Sequence, residues 1–380
     1  CDISLGSAVH SIAARIEHEL DQHTRGDVPQ FTLPLSEVDA SMAYSVGGKN
    51  ANLGELRNML DMPVPRGFSI TIRACSYFLL RTPGLFKNLF HLLKSVDPEK
   101  PARIAEISQN IEQLVQEAPI PAEVEQALFA EWDTAFGKNA DVVVALRSSA
   151  IAEDGVQSFA GQYRSILGVT RQDLLSAFKK VVASLFSPRA LTYRAEHGYD
   201  LDATGMGLCC VEMVRAKAAG VAFSRHPVDL RSNATVINGL WGLGEMVVDG
   251  SGTPDQWLVS RATKKITMAT IAHKTVRLRL VRTKTGLVES TLESVPDPLR
   301  DVPCLSDDQV RKLAEMVMEL ERHYQYPQDM EWAVDEDDQI ILLQTRPMGL
   351  DSASEEHSAP ALRHLRPLLS GGDIAARGVG

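Results

Sequence analysis

The sequence contains no apolar run approaching the roughly 18 residues that a membrane-spanning helix needs. Its longest apolar stretches, 141–146 and 205–214, have the length of strands. The first residues lack the basic flank and the apolar core of a signal peptide. Cysteine is scarce, with five residues and no Cys-x-x-Cys pair, and the neighbours Cys209 and Cys210 would point to opposite faces of a strand. These absences predict a cytoplasmic protein without a membrane anchor or a disulfide between those neighbours.

Positive charge is also in short supply, because 39 Lys and Arg face 49 Asp and Glu, for a formal net charge of −10. An acidic chain argues against a general nucleic-acid or anionic-membrane surface. It leaves room for a local cationic pocket that binds a small polyanion. The 380 residues, 44% of them hydrophobic, are enough for two or three domains or subdomains.

Apolar periodicity divides the chain into a helical first part and a strand-rich second part. Apolar residues recur at helical spacing over 5–20, residues 21–34 are predicted to be a linker, and 50–136 are predicted to be mostly helical. Further predicted helices are 171–185, 188–197 and 306–323. The predicted strands are 142–146, 206–214, 219–224, 233–240, 255–260, 264–270 and 275–281, followed by a hairpin over 329–346. Helices mixed with sequence-adjacent strands predict an α+β fold with two lobes.

The hairpin near the end carries the most informative pattern. If the two residues 337–338 form its turn, Glu331 faces Gln344 and Asp329 faces Arg346 on one side of the hairpin. That face could hold Mg²⁺ and a polyphosphate, because hard oxygens suit Mg²⁺ and arginine forks onto phosphate. Taken alone, an exposed hairpin with an Asp–Arg pair explains the segment better. The opposite face is predicted to be core, with Met330, Trp332, Val334, Leu343 and Ile341.

Two further segments combine small residues with a cation. Arg147 ends a buried strand and is followed by a small-residue loop through Gly161, whose N–H groups could close over phosphates or could merely connect two strands. Lys49 follows a diglycine at the start of a helix, where the dipole and free N–H groups favour anions. By itself, Lys49 is better explained as a solvated lysine.

Several familiar nucleotide motifs fail. The diglycine is not a P-loop, since Ala43 stands where glycine is needed and Asn50 where serine or threonine is needed. The segment 238–245 lacks the third glycine of a dinucleotide fingerprint, although its glycines permit close backbone approach and its last residue, Glu245, is a candidate site carboxylate. Any nucleotide site must therefore have another architecture.

Seven segments, in this order, resemble the nucleotide-binding domain of the phosphoenolpyruvate synthase / pyruvate phosphate dikinase family. They are GGKNANLGEL (47–56), VPRGFSIT (64–71), ALRSSAIAEDGVQSFAGQYRSILGV (145–169), SLFSPRALTYRAEHGYD (184–200), AGVAFSRHPVD (219–229), NGLWGLGEMVVDGSGTPD (238–255) and QDMEWAVDEDDQIILLQTRP (328–347). The resemblance covers about four-fifths of the chain. One such motif is a weak indication, whereas seven in order are specific.

The resemblance implies a two-lobed, ATP-grasp-like domain with a mostly helical N-terminal part and with ATP and Mg²⁺ in the cleft between the lobes. Such a domain transfers the terminal pyrophosphoryl group of ATP to a histidine on a separate swivel domain, which carries phosphate to a substrate domain. The implied boundaries are an extension and linker over 1–36, a first lobe over 37–211, a second lobe over 212–349 and a linker toward the swivel domain over 350–380.

The resemblance also assigns residues to the phosphates of ATP. Lys49 and Arg147 look like the polyphosphate cations of the first lobe, and Arg346 looks like a phosphate clamp. These three are the implied catalytic residues. Gly161 and Ser165 look like the loop that covers the phosphates.

The remaining implied residues would contact the metal and the base. Glu331 and Gln344 look like ligands of magnesium and nucleotide, with Asp329 beside them as a further metal candidate. Glu212 and Met213 would border the adenine. The ligands implied are therefore ATP and Mg²⁺.

Two departures from the family pattern qualify these expectations. Val211 stands where the family has a glutamine near adenine, so base recognition is expected to rest on backbone groups or on Glu212. The family's phosphorylatable histidine is absent, since 370–373 reads Ser-Gly-Gly-Asp. Together with a start at Cys1, this predicts an excised domain that cannot complete turnover alone.

The resemblance leaves the final phosphoryl acceptor open. The first hypothesis is the ATP-binding domain of a phosphoenolpyruvate synthase, which converts pyruvate, ATP and water to phosphoenolpyruvate, AMP and phosphate. Pyruvate phosphate dikinase, rifampin phosphotransferase and phenylphosphate synthase are similar in this region. A non-catalytic ATP-sensing module is the alternative from another class, and the intact cations and carboxylates speak against it.

Overall fold

A computed structural model describes residues 28–138, 142–150, 163–197, 205–229, 231–283 and 288–348. All of them belong to one compact unit that ends at Met348. Helices and antiparallel sheets are mixed within it, which confirms the α+β class. The predicted helix over 5–20 and the predicted linker over 350–380 lie outside the described residues. No helix in the described ranges has both the length and the apolarity to cross a membrane.

Most helices precede the central strands, as the sequence predicts. They are α1 (Ala43–Val46), α2 (Gly48–Asn58), α3 (Ile72–Arg81), α4 (Leu85–Leu93), α5 (Pro101–Glu117), α6 (Ala122–Phe136), α7 (Leu174–Ala183), α8 (Pro188–His197), α9 (Glu245–Val248) and α10 (Asp307–Tyr324). Helix α10 begins with a capping box, in which the Ser306 hydroxyl accepts from the Gln309 N–H and the Gln309 side chain accepts from the Ser306 N–H. Two of the N–H groups that a helix leaves without a helical partner are thereby satisfied.

We expect Ser306→Ala to lower the free energy of unfolding by about 1 kcal/mol, because one of these capping bonds disappears. Ser294→Ala, at an exposed position in a strand, serves as the control and should change little. Urea unfolding of both variants checks the prediction, and equal effects would contradict it.

The first sheet has five antiparallel strands in the order β1-β2-β5-β3-β4. They are β1 (Thr32–Pro34), β2 (Gly67–Ile70), β3 (Val144–Ala150), β4 (Ser165–Val169) and β5 (Met206–Glu212). β4 is not among the predicted strands. The linker prediction over 21–34 is wrong at β1, and the mostly helical stretch contains β2. Both strands are short, and β2 is buried along its whole length, so neither shows the alternation by which a strand is recognised in sequence.

The second sheet has six antiparallel strands in the order β13-β12-β6-β7-β8-β9, and a separate two-stranded sheet pairs β10 with β11. The strands are β6 (Ala218–Phe223), β7 (Ala234–Trp241), β8 (Asp255–Ser260), β9 (Ile266–Thr270), β10 (Val276–Arg282), β11 (Val288–Ser294), β12 (Gln328–Val334) and β13 (Ile340–Pro347). The sequence predicts all of these except β11. Its residues, VESTLES, are mostly polar and exposed, so they carry no apolar pattern.

Two hydrophobic cores meet at strand β5, whose side chains alternate between them. Leu208 and Cys210 pack with the helices on one face, whereas Cys209 and Val211 join a second core that includes the second sheet and α10. The four described cysteines, Cys209 and Cys210 among them, are buried free thiols. Leu53 of α2 also lies in the second core, although the sequence places α2 in the first lobe.

Candidate active site

A cleft of about 930 Å³ lies between the two large sheets. Strands β3, β4 and β5 form one wall, β6, β12 and β13 form the other, and residues of α9 and β11 also line the space. The volume is within the range of sites that enclose a small organic ligand. Most residues implied by the sequence line it: Lys49, Arg147, Ser165, Glu212, Met213, Glu331, Gln344 and Arg346. Asp329 lies just behind this lining, and Gly161 lies outside the described residues.

The site residues of the hairpin β12–β13 pair as the sequence predicts, but the turn of the hairpin differs from the predicted one. Glu331 faces Gln344 and Asp329 faces Arg346. The predicted two-residue turn is wrong, because Asp335 already pairs with Gln339 and the loop holds three residues. A bulge at position 343 restores the register before the site residues are reached. The core face therefore carries Leu342 and Ile340 in place of the predicted Leu343 and Ile341.

Asp329 and Arg346 form a cross-strand ion pair at the base of this wall. The Arg346 Nε donates to Asp329 Oδ2 at 2.8 Å, and the Asp329 side chain is only 10% exposed. Burial raises the pKa of the Asp329 carboxyl, the charge of Arg346 opposes that rise, and nearby Glu331 adds to it. Asp329 Oδ1 is buried without a hydrogen-bond partner. The pair is thus half hidden, unlike the exposed pair of the simpler interpretation.

Two cations from distant parts of the chain meet at the charged end of the cleft. The Arg147 guanidinium lies 3.8 Å from the Glu331 carboxylate across the cleft. Burial raises the pKa of the Cys209 thiol to about 11, while the charges of Arg147 and Lys49 oppose that rise, so both cations lie near this thiol. Burial also raises the pKa of the Glu245 carboxyl, again opposed by Arg147. Arg147 therefore lies among carboxylates from two other elements.

Lys49 reaches this end because of the glycine that precedes α2. Gly47 has φ of +84°, in the region that favours glycine, and a Cβ there would lie 1.7 Å from the Ser149 carbonyl oxygen of β3. The backbone can approach the first sheet this closely only without a side chain. Lys49 is the second residue of the helix that follows.

The lining changes from apolar to charged along the strands. Val144 begins β3 and pairs with Glu212 at the apolar end of the cleft. Arg147 lies three residues further along β3, about 10 Å away, at the charged end. Ala333 of β12 lies at the apolar end and Glu331 two positions further on. The cleft is therefore apolar toward one end and carries charged groups of both signs toward the other.

The apolar end is bordered by the end of β5 and the segment that follows it. Glu212 continues the face of Cys210, and its carboxylate accepts from the Arg66 Nε at 2.8 Å. The N–H of Glu212 donates to the Arg66 carbonyl, and the N–H of Met213 donates to the Val143 carbonyl. These two N–H groups are therefore engaged within the protein.

The oxygen donors of the hairpin fit a hard divalent cation. Glu331 and Gln344 face the cleft side by side, and the buried, unpartnered Oδ1 of Asp329 lies on the same face of the strand. Within the described residues, no group of three or more His, Cys, Asp or Glu side chains could hold a metal ion. One or two carboxylates are nevertheless what Mg²⁺ takes from a protein when phosphates and water supply its other ligands.

Other parts of the lining were weakly predicted or missed. Glu245, only a candidate from the sequence, lies in the cleft near Arg147. Glu289 and Ser290 of β11 also line it, and no sequence pattern indicated them. Ser165, expected in a covering loop, is the first residue of β4 and pairs with Arg147.

Cations, oxygen ligands and an apolar region line one groove, an arrangement that suits a nucleotide polyphosphate. A family model described as "Pyruvate phosphate dikinase, AMP/ATP-binding domain" matches residues 43–366. The chain therefore belongs to this family.

Curated relatives match over the same region. A probable phosphoenolpyruvate synthase of Staphylothermus marinus is 36% identical over 343 residues, which are 83% of this chain and 41% of the relative. The phosphoenolpyruvate synthase of Escherichia coli is 33% identical over 336 residues, covering 85% of this chain and 42% of the relative. The chain thus spans about two-fifths of the length of these relatives.

Proposed function

We propose that this chain is an ATP-grasp-like domain that binds Mg-ATP and transfers its terminal pyrophosphoryl or phosphoryl group to a histidine on a separate swivel domain, as in phosphoenolpyruvate synthase. The observation that carries the proposal is the cleft itself, which runs from an apolar end at Val211 and Met213 to a charged end at Arg147 and Glu331. The first lobe would correspond to 37–211 and the second to 212–349.

The charges of the lining support a requirement for Mg²⁺. The described lining carries three cations and five carboxylates, an excess of negative charge. ATP is itself strongly anionic, so it would be repelled from a site of this composition without a divalent cation. Glu331 and Gln344 would hold Mg²⁺, with Asp329 behind them, and Mg²⁺ would supply charge neutralisation and orientation of the phosphates.

The residues of this chain would contribute to the reaction by neutralising charge on the phosphates. Phosphoryl transfer needs the attacking and leaving groups in line and the charge on the phosphate oxygens neutralised, with little covalent chemistry from the protein. Lys49 and Arg147 would neutralise the phosphates from the first sheet, and Arg346 from the second. In pyrophosphoryl transfer the histidine nitrogen would form a bond to the β phosphorus while the bond from that phosphorus to the α–β bridging oxygen breaks, and the electron pair would leave with AMP.

The proposed partners lie beyond this chain's own site. They are the swivel domain that bears the histidine and a substrate domain, consistent with the fraction of the relatives that this chain covers. The relatives are named phosphoenolpyruvate synthases, and for that activity the final acceptor would be pyruvate; another dikinase-type phosphotransferase is the alternative. Without the swivel domain, the ATP-binding domain would not complete turnover.

Calorimetry with ATP tests the binding proposal. We expect ATP to bind the chain in the presence of Mg²⁺ and to bind much more weakly after chelation with EDTA. Glu331→Ala should weaken binding only when Mg²⁺ is present, whereas Glu336→Ala, on the exposed hairpin loop, should have no effect. Failure of the unaltered chain to bind ATP would overturn the proposal.

A second experiment distinguishes a catalytic domain from a domain that only senses ATP. The chain is mixed with the separately produced histidine domain of a relative and with ATP labelled at the β phosphorus. We expect acid-labile label on the histidine domain, and none with a variant in which that histidine is replaced. Binding of ATP without labelling would favour the sensor.

A further inference from the structure

Helix α2 is attached to the first sheet at its start. The N–H of Asn50 donates to the Ser149 Oγ of β3 at 3.1 Å, and its Nδ2 donates to the Leu208 carbonyl of β5 at 3.1 Å. Asn50 is fully buried. These bonds join the residues around Lys49 to the wall of the cleft that carries Arg147.

The later turns of α2 are attached to the opposite wall. Asn52 Nδ2 donates to the carbonyl of Thr345 in β13 at 3.4 Å. Leu53 and Leu56 lie in the core that includes Trp332 of β12. One helix therefore spans both walls, and it sets the position of Lys49 relative to the hairpin.

Glu55 makes the polar contact between α2 and α10, the helix that packs with the second sheet. Its Oε1 lies 2.7 Å from the Nε2 of His323, in the last turn of α10, and its Oε2 accepts from the Ala40 N–H at 3.0 Å. The Glu55 side chain is 11% exposed. A carboxylate with so little access to water needs hydrogen-bond donors, and a carboxylate only accepts, so the imidazole donates.

We propose that Glu55 and His323 are a positioning pair that holds α2, and through it the Lys49 ammonium, against the wall that carries Glu331, Gln344 and Arg346. The proposal rests on the proposed function, since it concerns the phosphate end of the same cleft. Glu55 lies six residues after Lys49, about 9 Å along the helix axis, so the pair acts through α2 and not by touching a nucleotide. Its loss lets α2 shift on β13 and moves the ammonium from the phosphates.

Such a pair affects the phosphates of ATP and not its base. We expect His323→Ala to weaken Mg-ATP binding roughly tenfold, which corresponds to about 1.4 kcal/mol, and to leave adenosine binding unchanged. His323→Gln keeps an N–H donor and should restore most of the affinity. In a Lys49→Ala background, His323→Ala should cause no further loss, because coupled residues are not additive.

Calorimetry on the whole chain, with circular dichroism to verify folding, provides these affinities. His273→Ala is the matched control, since His273 pairs with Asp301 at the same 2.7 Å but on the exposed surface. If His323→Ala does not fold, Glu55→Gln, which keeps the side-chain volume, replaces it and is measured alone and together with Lys49→Ala. An equal loss with and without Lys49, or an equal loss for adenosine, would overturn the positioning role while leaving the proposed function intact. Absence of ATP binding by the unaltered chain would instead overturn both.

Discussion

Replacing Arg147 by alanine is expected to weaken Mg-ATP binding by roughly 10- to 150-fold, the equivalent of the 1.5–3 kcal/mol that hydrogen bonds to charged groups contribute. Arg147 is 3.8 Å from Glu331, and its charge also acts on Glu245 and Cys209. Without it, the carboxylates near the charged end would face the phosphates with one cation fewer. Isothermal calorimetry in the presence of Mg²⁺ measures the effect.

Two further variants test this prediction, one conservative and one outside the cleft. Arg147→Lys keeps the charge but loses the planar fork, so its affinity should fall between those of the parent and Arg147→Ala. Arg279→Ala removes an arginine that pairs with Glu336 at 3.8 Å outside the cleft lining, and it should bind as the parent does. If Arg279→Ala and Arg147→Ala weaken ATP binding equally, the effect is one of overall charge and the assignment of Arg147 fails.

Asp255→Ala is expected to lower the free energy of unfolding by about 3–5 kcal/mol, because it leaves a buried lysine without its counter-ion. Asp255 and Lys274 are both fully buried, with Oδ1 and Nζ 2.6 Å apart. The Asp255 carboxylate also accepts from the N–H groups of Ala272 and Cys304, each at 2.8 Å. One carboxylate thus joins β8 to two segments distant in the sequence, and urea unfolding measures its loss.

The matched control is Asp301→Ala, which removes an exposed carboxylate from its pair with His273 and should change stability little. The double variant Asp255→Leu/Lys274→Met should recover much of the loss, since an apolar pair of similar volume tolerates burial better than a lone charge. A cost for Asp255→Ala no larger than that for Asp301→Ala would show that the buried pair is not essential to the fold.

The hairpin shows how far sequence reasoning could reach. The side-chain period of two placed Glu331 opposite Gln344 correctly, although the turn was predicted one residue too short. The bulge at 343 cancelled that error before it reached the site. Turn length and bulges depend on local backbone conformation, such as φ of +60° at Asp338, which an alternating apolar pattern does not reveal.

Three of the missed strands, β1, β2 and β11, have a common cause. β1 and β2 are short, and β11 is polar and exposed, so each becomes a strand by pairing with a neighbour and not by its own composition. Two lining residues, Glu289 and Ser290, were missed for that reason.

The sequence by itself determined the family, the α+β class, most of the strands and the oxygen-rich face of the hairpin, because these follow from local periodicity and from ordered motifs. Only the tertiary structure decided that Glu289 and Ser290 line the cleft, that Glu245 lies near Arg147, and that Glu55 is held by His323, 268 residues away. Such contacts between residues distant in the sequence depend on how the sheets and helices pack together. No pattern within a single segment contains that information.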